Sequence, residues 1–212
     1  ATTDGLGGAA SFNAPSDVAI TPDGTRLVVT DMGGHVVRLV VLETQDVGPG
    51  VERRTIPVGR VTTLAGQSGS PGFTDGTGLL ARFNAPAGVS CNADNLRCHV
   101  ADTGNFRIRT VSLSDQQVVT VAGSGADLSA DGDGTTASFG RVTGIDAAQH
   151  GDIALVSEHH RIRIVDLDNG NVHTVAGSAQ GMADHTGTLA MFSEPLHVSV
   201  SPDAYTALVT DA

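Results

Sequence analysis

The chain has 212 residues, including 27 Gly, no Trp and one Tyr, and its formal net charge is −11, from 23 acidic residues against 12 basic ones. Every basic residue is Arg, and because non-specific nucleic-acid affinity comes mainly from clustered Lys and Arg neutralising phosphates, no nucleic-acid partner is expected. No apolar run approaches the roughly 20 residues of a membrane span, and the first residues lack a basic-then-apolar signal pattern, so no direct membrane insertion is expected. Abundant Gly, Val, Thr and Ala describe short strands joined by tight turns, an all-β chain.

Four phenylalanines, Phe12, Phe83, Phe139 and Phe192, anchor an internal repeat. Eight residues before each stands an Asp (Asp4, Asp75, Asp131, Asp184), and two before it an Ala. A β-branched residue follows six positions later (Val18, Val89, Ile145, Val198), and an acid nineteen positions later (Asp31, Asp102, Glu158, Asp211). Fixed offsets at a period of about 55 residues are the mark of propeller blades.

The first module, residues 1–66, opens its leading hairpin with the turn Thr21-Pro-Asp-Gly24, continues through Arg38-Leu-Val and closes on VTTLAG from Val61. It carries an insertion over 43–58, with Gly48-Pro-Gly50 and then Arg53-Arg54. We expect a rim loop there, whose paired guanidiniums would offer a partner-contact site on a rigid scaffold. The second module, 67–123, is the most regular, and its turn signals predict strands near 88–91, 97–102, 106–113 and 117–122. In the third module, 124–177, Gly140-Arg-Val142 replaces Asn-x-Pro, and His159-His160 makes one turn two residues shorter. The fourth, 178–212, supplies half a unit and reaches Asp211-Ala212 where two further strands would begin. Four short antiparallel strands cannot bury both faces alone, so the modules must stack around an axis, and further chain or a partner is expected to complete the ring.

The pattern D-G-x-G-x-x-A-x-F-N-x-P-x-G-V, then V-A-D-T-G-N-x-R-I-R, then V-T-x-A-G, followed nearly throughout by Asp75 to Gly123, resembles the NHL repeat. The likeness covers essentially the whole chain, and the variant with an arginine strand and a terminal T-x-A-G is similar to NHL propellers of large cell-surface and secreted proteins such as teneurins. It implies an NHL-type β-propeller with four-stranded antiparallel blades, three complete and a fourth partial. It also implies a non-enzymatic interaction or structural role at the cell surface or outside it. Two alternatives stay open: a metal-dependent lyase or hydrolase of NHL type, and an RNA-binding NHL propeller, which would need a basic face.

Cys91 and Cys98 occupy positions that are apolar pairs in the other modules: Ile20 and Leu27, Ala147 and Ala154, Val200 and Ala207. They should face each other across the leading hairpin, so a disulfide and an oxidising compartment are expected. Because Asp31, Asp102, Glu158 and Asp211 recur once per module, they are read as structural, fixing a turn or pairing with the recurring Arg38, Arg109 and Arg163, rather than as catalytic carboxylates. Asp131-Gly-Asp-Gly134 lacks the later bidentate Glu of a calcium loop and is read as a turn. The eight His show no zinc-ligand spacing, and among the axial positions Asp17, Gly88, Gly144 and His197 only one is His. Neither a cofactor nor a catalytic residue is expected.

Overall fold

A computed structural model describes residues 2–46, 55–93, 96–149 and 151–212. In the first blade, β1 (Gly5–Leu6), β2 (Pro15–Ile20), β3 (Arg26–Asp31), β4 (Val36–Asp46) and β5 (Thr55–Ala65) form one antiparallel sheet in the order β1-β5-β4-β3-β2. The second repeats it with β6 (Gly76–Thr77), β7 (Pro86–Cys91), β8 (Arg97–Asp102), β9 (Arg107–Ser112) and β10 (Gln117–Ala122), in the order β6-β10-β9-β8-β7. The third has four strands, β11 (Val142–Ala147), β12 (Ile153–Glu158), β13 (Arg161–Asp166) and β14 (Val172–Ala176), and the fourth has two, β15 (Pro195–Val200) and β16 (Ala207–Asp211). None of the sheets closes on itself. Among the described residues no helix is long and apolar enough to cross a membrane.

The leading hairpins share one register: Ile20 faces Leu27, Cys91 faces Cys98, Ala147 faces Ala154 and Val200 faces Ala207. Their turns are built from short side chains that accept local hydrogen bonds, and Asp23, which accepts from the Thr21 hydroxyl at 2.6 Å and the Thr25 amide at 3.0 Å, is held down to about 2 by those bonds. The short β1 and β6, each running into a single 3₁₀ turn, lie along the outermost strand of their own blade. The insertion differs at both ends from the expected loop: β4 and β5 continue as a paired ladder from Glu43 opposite Val58 to Asp46 opposite Thr55. Arg53 and Arg54 lie outside the described residues.

The blades stack through two apolar layers. Between the first two blades, Val28, Val37, Leu64 and Ala65 meet Phe83, Val89, Val100 and Val111. Between the second and third, Ala101, Ile108 and Ala122 meet Phe139, Val142, Ile145 and Val156. Phe83 and Phe139 are fully buried in these layers, so each anchors its own blade against the one before it. The closing glycine of T-x-A-G makes room for that ring: Gly123 has φ +108°, and a Cβ there would sit 2.5 Å from the Phe106 carbonyl oxygen and 3.1 Å from the Phe139 ring. Gly66 and Gly177 stand in the same relation to Phe83 and Phe192.

Candidate functional site

The buried charges form one motif repeated three times. In the second blade the fully buried Arg109 donates through Nη1 to Asp102 Oδ2 at 2.8 Å and the Arg82 carbonyl at 3.1 Å, and through Nη2 to Asp75 Oδ1 at 2.6 Å and the Thr74 carbonyl at 3.0 Å. The Phe83 ring lies 5.1 Å from the guanidinium. Arg38 repeats this with Asp31, Asp4, the carbonyls of Ser11 and Thr3, and the Phe12 ring. Arg163 repeats it with Glu158, Asp131, the Ser138 carbonyl and the Phe139 ring. The inner carboxylates also accept backbone N–H groups of the segment after each Phe: Asn13 to Asp31 at 2.7 Å, Asn84 to Asp102 at 2.8 Å and Gly140 to Glu158 at 2.5 Å. The terminal nitrogens are taken up by carboxylates and carbonyls, and although Nε of Arg38, Arg109 and Arg163 has no hydrogen-bond partner, each guanidinium is fully buried and closed to a substrate.

The outer carboxylate, eight residues before each Phe, carries a role that sequence reasoning did not assign. Asp4 accepts from the Thr63 amide and hydroxyl, Asp75 from those of Thr120, and Asp131 from the Thr174 hydroxyl. The start of each module is thereby clasped to the threonine of its own T-x-A-G strand. Burial pushes the Asp102 carboxyl above its ordinary value, against the hydrogen bonds of Asn105 and Asn84 and the charge of Arg109. Burial also raises Asp131, but the Thr174 bonds and Arg163 outweigh it and leave that carboxyl below the ordinary value.

The inner strands β2, β7, β11 and β15 pack successively around an axis. Gly88 and Gly144 permit the approach, because a Cβ at Gly88 would lie 3.0 Å from the Thr143 carbonyl oxygen and one at Gly144 2.9 Å from that of Leu196. Asp17 accepts the Val89 amide at 2.9 Å, Ser90 accepts the Ala147 amide at 3.0 Å, and Asp146 accepts the Val200 amide at 2.8 Å, so each stitches one blade to the next. A cleft of about 310 Å³ opens beside them, lined in part by Asp17, Ser90, Asp146, His197 and Ser199, with His197 Nε2 3.8 Å from Asp17 Oδ2. Among the described residues no three His, Cys, Asp or Glu side chains gather to hold a metal.

Cys91 and Cys98 form a disulfide across the leading hairpin of the second blade. The open faces are apolar. Val18 is 56% exposed, whereas its repeat equivalents Val89, Ile145 and Val198 are 4%, 1% and 0% exposed, because each of those three packs against a preceding blade. Phe12 and Ile20 share this uncovered face. At the other end, Asp211 accepts the amides of Ser193 and Glu194, Phe192 is half-buried, and Leu208 is exposed.

Comparison with known proteins follows the same lines. No family profile matches the chain. It is 27% identical to NHL repeat-containing protein 2 of Bos taurus over 174 residues, 77% of this chain and 22% of that protein. It is 28% identical to the chloroplastic protein SUPPRESSOR OF QUENCHING 1 of Arabidopsis thaliana over 154 residues, 69% of this chain and 15% of that one. The chain therefore spans less than a quarter of the length of these relatives. A propeller in the solved nidogen/laminin complex superposes with a TM-score of 0.61 at 12% identity, over 96% of this chain and 61% of that one. Together with the repeated blade, the likeness to NHL repeat-containing protein 2 and to solved β-propellers supports an NHL-repeat β-propeller.

Proposed function

We propose that the chain is a non-enzymatic segment of a larger protein, placed outside the cytosol at the cell surface or beyond it, whose propeller serves as a protein-interaction or structural surface. The exposed face of the first blade carries this reading. Val18 presents apolar area that Val89, Ile145 and Val198 bury in the following blades, with Ile20 and Phe12 exposed beside it, and contiguous exposed apolar surface marks a contact site. The buried carboxylates support the non-enzymatic part, since Asp31, Asp102 and Glu158 are each consumed by an arginine and a backbone amide of their own blade. The Cys91–Cys98 bridge supports an oxidising compartment. The neighbour solved in a nidogen/laminin complex shows the same fold in a protein assembly.

The test is sedimentation velocity over a range of concentrations, with a hydrophobic dye as surface probe. The chain should associate or bind the dye in part through β2, and the double substitution Val18→Glu, Ile20→Glu should weaken both. A monomer whose dye binding is unchanged by that substitution would remove the reading.

A further inference from the structure

The third blade departs from the first two at one end, and the departure gathers positive charge there. In the first two blades an Asn after the phenylalanine ties down the connection between the second and third long strands: Asn13 Nδ2 donates to the Gly33 carbonyl at 2.6 Å and Asn84 Nδ2 to that of Gly104 at 3.0 Å. Gly140 replaces this Asn, and the His159 ring fills the space so closely that a Cβ at Gly140 would collide with it. His159 Nε2 accepts the Arg141 amide at 3.3 Å, and Arg141 is exposed. Arg161 is the counterpart of Arg107, which donates to the Asn105 and Ser124 carbonyls and lies 3.8 Å from the centre of the Phe73 ring. Ser129 stands where that ring would be, and Ala179 stands at the position of Gly125, where a Cβ would collide with the guanidinium. Arg161 therefore lacks the seat that Arg107 has. Among the described residues neither Arg141 nor Arg161 has a hydrogen-bond or ion-pair partner for its guanidinium.

A cleft of about 80 Å³ opens between this end of the third blade and the start of β15, lined in part by Arg141, His159, His160, Glu194 and Pro195. Its basic groups belong to a blade that has a neighbour on each side. His160 Nδ1 lies 2.5 Å from the Ser193 carbonyl oxygen. A carbonyl only accepts, so Nδ1 carries the proton and Nε2 of the neutral ring is left as an acceptor at the cleft. Two acids stand on the rim: Asp127, whose Oδ1 is 3.7 Å from His159 Nε2, and the exposed Glu194.

We infer that this cleft is a contact site for an acidic segment of a partner protein, which places a carboxylate side chain on the Arg141 guanidinium and a backbone N–H on His160 Nε2. The inference rests on the interaction reading above and adds a location and a partner chemistry to it. An unpartnered guanidinium offers a planar fork of donors that matches a carboxylate, and the imidazole beside it supplies the acceptor that a peptide backbone needs. Arg161, the residue after His160, provides a second guanidinium for a further acid of the same segment. The rim acids Asp127 and Glu194 oppose a compact dianion such as phosphate, and the net charge of −11 opposes a nucleic-acid backbone. A peptide whose single charges are spaced along it meets neither objection.

The probe is a fluorescein-labelled peptide of alternating Glu and Gly, titrated against the 212-residue chain, with binding read by fluorescence anisotropy and located by amide chemical-shift changes. Saturable binding with shifts centred on 140–143 and 158–161 is expected. It should weaken about tenfold or more in Arg141→Ala combined with Arg161→Ala, because charge-assisted hydrogen bonds are lost. Arg60→Ala, which removes a positive charge from another part of the chain, should leave it unchanged. Asp127→Asn and Glu194→Gln should each tighten binding by about twofold, since an opposing surface charge is removed, and a gain of affinity is not a result that misfolding produces. Equal binding of a peptide with Gln in place of Glu would overturn carboxylate recognition, and displacement of the peptide by an equal concentration of inorganic phosphate would overturn the choice of a peptide. Absence of binding would overturn the inference, while the first-blade surface is judged separately by the Val18 and Ile20 variants.

Discussion

Replacing Arg109 with Ala isolates the energetic role of the repeated cradle. The guanidinium is fully buried and holds two carboxylates and two carbonyls. Its removal strands Asp102, a carboxylate with no exposure of its own. Breaking a buried pair from one side costs about 3–5 kcal/mol, because the remaining charge is left away from water with no counter-charge. For a chain of this size each kcal/mol lowers Tm by roughly 2–4 °C, so the midpoint should fall by about 6–20 °C. The assay is thermal and urea unfolding followed by far-UV circular dichroism, as the chain has no Trp. Arg60→Ala serves as control, since Arg60 and Glu43 are half exposed and should leave Tm unchanged. Adding Asp102→Asn to Arg109→Met should recover part of the loss by leaving no unpaired buried charge, since Asp75 is partly exposed. In Arg109→Ala the penalty should also shrink in acid, where the burial that raises Asp102 favours its neutral form. If Arg109→Ala is no more destabilising than Arg60→Ala, the cradle does not hold the blade together.

Three other outcomes are expected. Phe83→Ala should cost about 3–5 kcal/mol and Phe12→Ala much less, because the first ring is fully buried between blades and the second is 36% exposed; chemical denaturation distinguishes them, and equal losses would refute the stacking role. Cys91→Ala with Cys98→Ala should retain the native circular dichroism spectrum, since Ala147 and Ala154 fill the same positions in the third blade, while losing about 2 kcal/mol of loop-closure stabilisation; alkylation of two thiols in the unreduced wild-type chain would show that the bridge is absent. Asp131→Asn should destabilise at neutral pH with a difference that closes in acid. The folded carboxyl lies below its ordinary 3.8, so its contribution is present above that value and lost as pH falls through the folded one. A destabilisation that stays constant into acid would contradict this.

The blades were legible because their signals are local and repeated. Strands expected at 97–102 and 117–122 lie at Arg97–Asp102 and Gln117–Ala122, and aligning Cys91 and Cys98 with apolar pairs predicted a cross-strand contact that the hairpin makes. The short β1 and β6 escaped notice because two Gly-containing residues show no alternation. The outer Asp was visible as an offset but not as an arginine partner, since Asp75 and Arg109 lie 34 residues apart and meet only after the sheet has formed. Gly48-Pro-Gly50 drew attention to a loop, whereas the flanks of the insertion pair as strand. In the third blade, Glu158 in place of Asp accompanies the shorter turn at His159-His160, a compensation that only the bond to Gly140 reveals.

The clasp between Asp75 and Thr120 sets the grain at which this architecture can be edited. A cut in the glycine-rich stretch after Gly66 leaves Asp4, Asp75 and Asp131 each on the same piece as the threonine that donates to it, so the clasps themselves survive an exchange of whole modules. A cut between the second and third strands separates the two halves of a clasp. During synthesis the same arrangement delays the sealing of a blade until its final strand leaves the ribosome, so each blade closes in turn from the amino-terminal side.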